Sequence, residues 1–185
     1  MTPAPQFEIL APRLLAGEFN EATVFGAAAW LWLHSARHRN VPLHTLSTLL
    51  LPAIKEGRFV LVSERGQPVF YMSWADLDEA AEARYLQHSP EQMRQEDWSS
   101  GERLWILDWI APFGHTNLMM QLVRKRLMAT RIVRALYHRG AERGMRIVEL
   151  HGIAVHPCEA RAWFSLHPPA TPPIASAANP LSLSA

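Results

Sequence analysis

Apolar residues recur along this chain with two periods, and the switches between them mark its elements. "EATVFGAAAWLWLHS", from Glu21, is apolar on more than one helical face, the pattern of a mostly buried helix. Asn20 ahead of it is a suitable N-cap and Glu21 suits the first turn. "PLHTLSTLLLPAIKEG" predicts a second helix opened by Pro42 and closed by Gly57, kinked at its internal Pro52. "RFVLVSE" and "QPVFYMSWA" are β-rich runs on either side of Arg65-Gly66, a hairpin signal. "DLDEAAEARYLQ" predicts a helix with Asp76 as N-cap and Glu79 three residues on. "HSPEQMRQEDWSSGE" is polar and reads as a loop. "RLWILDWIA" is the strongest strand, stopped by Pro112 and Gly114; Thr116 or Asn117 then opens a long helix through about Arg139. "GMRIVEL" is a fourth strand.

The ends lack this periodicity. Residues 1–19 read as an irregular arm, residues 20–166 as one domain, and residues 167–185, rich in Pro, Ala and Ser, as a flexible tail. The order α-α-β-β-α-β-α-β predicts an α+β layer architecture.

Composition narrows the class. A chain of 185 residues, 49% hydrophobic and 19% charged, is long enough for one domain with a real core. A net charge of +1 does not by itself imply nucleic acid or a membrane. The single Cys158 excludes a disulfide-stapled fold. The N-terminus lacks the basic start and apolar core of a signal peptide, and "VFGAAAWLWL" is too short to cross a bilayer, which takes roughly 20 residues. A soluble, cytoplasmic protein is expected.

Candidate chemistry begins at Asp108. Simple alternation puts Leu104, Ile106, Asp108 and Ile110 on one face of the strand, and Trp105, Leu107, Trp109 and Ala111 on the other. An acid among such neighbours needs a cation or a hydrogen-bond donor. On these residues alone it is either the partner of an arginine or a catalytic acid. His38, in "HSARHRN", is either an exposed histidine at a helix end or a proton carrier that a carboxylate such as Asp108 would orient. Ser35 is a candidate nucleophile without a GxSxG elbow, or a local hydrogen-bonding partner of His38. His34 and His38 are four residues apart but lack further ligands, so no metal is expected. Phosphate-binding glycine loops are absent. In residues 121–146 the basic residues are Arg124, Lys125, Arg126, Arg131, Arg134, Arg139, Arg143 and Arg146, against one acid, Glu142. They read as a solvated helix face or a dock for an acidic partner. Without interleaved aromatic residues they do not indicate nucleic acid. Six of the seven tryptophans lie between Trp30 and Trp109; most read as core, with some lining an apolar groove suited to an acyl chain.

Five segments in order, "WLW…SxxHRN", "LPAIKEGRFVL", "PVFYMSWA", "DWSSGERLWILDWIAPFG" and "VELHG", resemble the RTX toxin-activating lysine acyltransferases, the hemolysin-activating protein family. The likeness covers residues 26–152. It implies a Gcn5-related N-acetyltransferase-like fold with a mixed central sheet flanked by helices. It implies a cytoplasmic enzyme with no tightly bound cofactor, which moves a fatty acyl group from acyl carrier protein to internal lysines of an RTX protoxin, and which can form a homodimer. The family's catalytic histidine falls on His38, its essential aspartate on Asp108 and a supporting serine on Ser35. Arg124, Lys125, Arg126, Arg131 and Arg134 would then suit docking of the acidic carrier. Two departures stand out: Ala36 replaces the proline often found two residues before the histidine, and after Gly152 a proline-rich tail replaces the family's helical C-terminus. The competing readings are an acetyl-CoA-dependent N-acetyltransferase of the same fold, whose Q/R-x-x-G-x-G/A loop is not found here, and a non-enzymatic basic interaction protein.

Overall fold

The computed structural model describes residues 7–88, 92–137 and 146–170. Six strands form one sheet in sequence order: β1 (Phe7–Leu10), β2 (Phe59–Glu64), β3 (Gln67–Leu77), β4 (Arg103–Ile110), β5 (Ile132–Leu136) and β6 (Ile147–His151). Every neighbouring pair is antiparallel except β4 and β5. Helices α1 (Glu21–His34), α2 (Leu46–Leu49), α3 (Leu51–Lys55), α4 (Glu79–Gln87), α5 (Thr116–Leu122) and α6 (Pro157–Leu166) flank it. The α+β class with a mixed sheet and flanking helices is as expected.

Local chemistry accounts for much of this. Asn20 caps α1, its Oδ1 accepting from the Thr23 N–H at 2.9 Å. Arg65 and Gly66, with φ of 54° and 78°, make the left-handed turn that suits the twist of a two-residue hairpin. Gly57, with φ of 66°, ends α3.

Several elements differ from expectation. Pro52 does more than kink the second helix. It has no N–H to give Thr48, and the segment divides into α2 and α3 behind a short 3₁₀ turn at Leu43–Thr45. Asp76 stays in β3, where its carboxylate takes Arg58 and Arg131. The N-cap of α4 is Asp78, which accepts from Ala81 at 2.7 Å. Within the supposed irregular arm, Phe7–Leu10 pairs with β2. The long helix from Thr116 ends early: α5 gives way to a π-helical turn at Val123–Leu127 and then to β5. Arg139 and Arg143 lie outside the described residues. After Gly152 the chain forms α6, so a helix does follow the family-like region before the tail expected from residue 167. His167 to Ala170, the start of that tail, are tied to buried charges. The Arg134 guanidinium donates to the His167 carbonyl, that of Arg103 to the Pro168 carbonyl, and the Ala170 N–H to Glu82. Residues 171–185 lie outside the described residues.

The sheet separates two layers of core. On one side, the α5 face, Val60, Val62, Phe70, Met72, Trp74, Leu104 and Ile106 pack with Met119, Val123 and Leu127 from α5 and the π turn. On the other, the α1 face, Phe59, Leu61, Tyr71 and Ile110 pack with Val24, Ala28, Leu31 and Trp32 of α1, beside a cluster of Ala75, Leu77 and Trp105 with Ala81, Tyr85 and Trp98.

Candidate active site

Asp108 reaches the α1 face through an irregularity in β4. Ser73 opposes Asp108 and Tyr71 opposes Ile110, but the next residue of β3, Trp74, opposes Ile106. Leu107 therefore has no partner on β3. This β-bulge puts two consecutive side chains, Leu107 and Asp108, on the same side of the sheet. Strict alternation groups Asp108 with Leu104 and Ile106, whereas those two lie in the α5-face core together with Trp109. The bulge also coincides with the end of the β4–β5 pairing, which holds only at Trp105↔Arg134 and Ile106↔Ala135.

His38 is brought to the same place from α1. The chain leaves the helix at Ser35 and turns tightly, with the His38 and Arg39 N–H groups both donating to the Ser35 carbonyl at 3.0 Å. The Trp32 ring lies against the imidazole, centroids 4.8 Å apart. Ser35 Oγ is hydrogen-bonded to His38 Nδ1 at 2.8 Å. His38 Nε2 stands 3.7 Å from Asp108 Oδ1, with the two side chains 7% and 14% exposed. That separation is too long for a direct hydrogen bond and close enough for strong electrostatic coupling.

Asp108 has a second partner. Ser73 Oγ donates to its Oδ2 at 2.9 Å. Burial holds the Asp108 carboxyl above the ordinary carboxylate range, and the Ser73 hydrogen bond and the Arg37 guanidinium pull it part of the way back. Beside it the buried Tyr71 phenol is raised well above its usual value, by burial and then by the charge of Asp108, so it remains protonated. Ser73→Ala removes a donor to a buried charge and raises Asp108 further. Any activity that depends on the Asp108 carboxylate is expected to fall about tenfold, in line with hydrogen bonds to charged groups. Initial rates together with a thermal melt check this; an unchanged rate would show that Ser73 does not support the carboxylate.

The pair lies at a cavity of about 180 Å³. Trp32, Leu49, Met93, Trp98, Leu107 and Leu136 give it apolar walls, and Arg37, His38, Tyr85 and Asp108 line it with polar groups. An apolar chamber ending on a histidine and a carboxylate can hold a hydrocarbon chain and move a proton at its end. No group of three or more potential metal ligands occurs among the described residues.

The basic residues that sequence places in one group do not stay together. Arg124, Lys125 and Arg126 lie on the exposed π turn, on the α5 face. Arg131 pairs with Asp76 at 2.9 Å. Arg134 is a correction: it belongs to β5, is 1% exposed, and is held inside by Glu82 at 3.1 Å and Glu149 at 3.3 Å. A buried guanidinium cannot contribute to a docking surface. Sequence spacing singles out neither Ser73 nor Arg37. Ser73 is the one hydroxyl in the apolar run "VFYMSWA" apart from its tyrosine, but only the pairing register reveals that it faces Asp108.

The site thus sets a histidine and a carboxylate side by side on a largely apolar cavity. The family of the chain is explicit: the model of the RTX toxin acyltransferase family matches residues 17–151, and the chain belongs to that family. Among its relatives, the protein-lysine myristoyltransferase RtxC of Kingella kingae is 39% identical over 127 residues, 69% of this chain and 75% of the relative. The leukotoxin-activating lysine-acyltransferase LtxC of Aggregatibacter actinomycetemcomitans is 37% identical over 133 residues, 72% and 78% of the two chains. The RTX-II toxin-activating lysine-acyltransferase ApxIIC of Actinobacillus pleuropneumoniae is 40% identical over 107 residues, 58% of this chain and 66% of the relative.

Proposed function

We propose that this protein is a protein-lysine fatty acyltransferase that takes an acyl chain from acyl carrier protein and attaches it to lysines of an RTX protoxin. The observation that carries the reading is the His38–Asp108 pair, 3.7 Å apart, at the end of an apolar cavity. A lysine ammonium, with an ordinary pKa of about 10.4, must lose a proton before it attacks a thioester. Nδ1 of His38 is engaged by Ser35, so Nε2 is the nitrogen that takes this proton, and Asp108 stabilises the resulting imidazolium. The amine nitrogen then bonds to the thioester carbonyl carbon and sheds its second proton to solvent, the C–S bond breaks, and the proton held on Nε2 passes to the departing thiolate. The product is an amide.

The sheet, antiparallel except for β4 and β5, is compatible with a Gcn5-related N-acetyltransferase-like fold. β4 loses its pairing with β5 at the bulge. A small cavity lined by Ile106, Trp109 and Arg124 lies on the α5 face, across the sheet from His38. A carrier docked on Arg124, Lys125 and Arg126 would extend its thioester arm toward Asp108 where the two strands part. Among the described residues no helix is long and apolar enough to cross a membrane.

The test supplies acyl carrier protein charged with a myristoyl chain, together with an RTX protoxin, and looks for acyl-lysine by mass spectrometry. Amide-linked myristate on protoxin lysines is the expected result. No acylation by the folded protein across several chain lengths refutes the reading.

A further inference from the structure

We propose that Arg37 is a positioning residue that sets the protonation of the reacting groups at His38. The inference rests on the acyltransferase reading. Arg37 immediately precedes His38 in the tight turn after α1. Among the described residues it is the one arginine or lysine lining the cavity that His38 and Asp108 share. Arg37 is also exposed at the surface, at the rim of this cavity.

Among the described residues, the charged and titratable groups around this cavity come from four elements: His38 and Arg37 from the turn, Asp108 from β4, Tyr85 from α4 and, behind Asp108, Tyr71 from β3. The Arg37 charge is already felt by two of them, lowering both the Asp108 carboxyl and the Tyr85 phenol against the upward pull of burial. The same positive charge disfavours a second positive charge nearby. An acceptor lysine entering here is therefore biased toward its neutral, nucleophilic form. His38, for the same reason, gives up a captured proton more readily to the departing thiolate. Asp108 is kept ionised to lower pH. All three effects favour turnover, and all three push the acidic limb of the pH–rate profile downward.

Removing the charge should reverse the sign. For Arg37→Gln, kcat/KM for protoxin acylation, measured over about pH 6 to 9.5, should show its acidic limb moved up by about half a unit or more. Arg37→Lys, which keeps the charge without the guanidinium geometry, should restore the wild-type limb. The probe is myristoyl-acyl carrier protein with an RTX protoxin. A lower rate at every pH with an unmoved limb overturns the proposal, because a purely structural or oxyanion-binding arginine behaves that way. So does a limb that moves equally in Arg37→Lys. Absence of acylation by the wild-type protein would instead refute the acyltransferase reading itself.

Discussion

Asp108→Asn is expected to leave the protein at least as stable at pH 7 as wild type while removing nearly all acyl transfer. The stability half follows from linkage. Burial raises the folded-state pKa of Asp108 above its ordinary value, so between those two values the folded state binds more protons than the unfolded chain. Stability then falls as pH rises through this window, and above it the full cost of the buried carboxylate is in place. Asparagine has nearly the same shape and can still accept from Ser73, but it never ionises, so that cost is absent. The stability difference from wild type should shrink as pH is lowered toward about 4, the ordinary carboxylate range. The activity half follows from the 3.7 Å contact with His38: a neutral amide cannot stabilise an imidazolium. A loss of about 10²- to 10⁴-fold is the scale of general acid–base catalysis, and His38→Ala should lose a similar amount. Melting curves at several pH values and acylation rates on the same samples check both halves. A lower Tm with near-normal activity would make Asp108 a structural ion.

The largest loss of stability should come from Glu82, at the centre of a buried charge cluster. It is fully buried on α4 and accepts from Trp105 Nε1 at 2.8 Å, Arg134 Nη1 at 3.1 Å and the Ala170 N–H at 3.0 Å, and also from Arg103. Glu82→Ala leaves the Arg134 guanidinium inside the protein with the half-exposed Glu149 as its one carboxylate partner among the described residues. Breaking a buried pair from one side costs about 3–5 kcal/mol. At about 2–4 °C per kcal/mol for a chain of this size, Tm should drop by roughly 10 °C. Replacing both charges, Glu82→Leu with Arg134→Met, should recover part of the loss, since Arg134 is then no longer stranded and Arg103 keeps Glu79 at 3.5 Å. Thermal denaturation of the single and double variants measures this. If Glu82→Ala lowered Tm by only a degree or two, the cluster would not be a source of stability.

What sequence can reveal divides along local and non-local lines. The Asn20 cap of α1 and the Arg65-Gly66 hairpin depend on neighbouring residues, and both are legible. Residues 116–139 read as one helix because apolar positions continue at helical spacing into "LVRKRLM". The strand after it is fixed by distant partners: β4 on one side, β6 on the other, and Glu82, 52 residues away from Arg134. Phe7–Leu10 escapes notice because four residues beside β2 carry too little pattern to register. At the site, residue spacing leaves both His38 and Asp108 with two readings, and only the family resemblance joins them. The bulge explains why spacing could not. An unpaired Leu107 inverts the alternation midway along β4, and nothing in "RLWILDWI" announces it.

The anchored segment after α6 bears on where this protein ends as a folding unit. The family match stops at residue 151, but Arg134 lies 5.4 Å from the Trp163 ring and 5.2 Å from that of Phe164, and it donates to the His167 carbonyl. A chain cut at the limit of homology would uncover one side of a guanidinium whose carboxylate partner lies in the core. Ancestry and foldability have different borders here. The part held in common with relatives contains His38 and Asp108, while the part beyond it seals a buried charge cluster elsewhere in the fold.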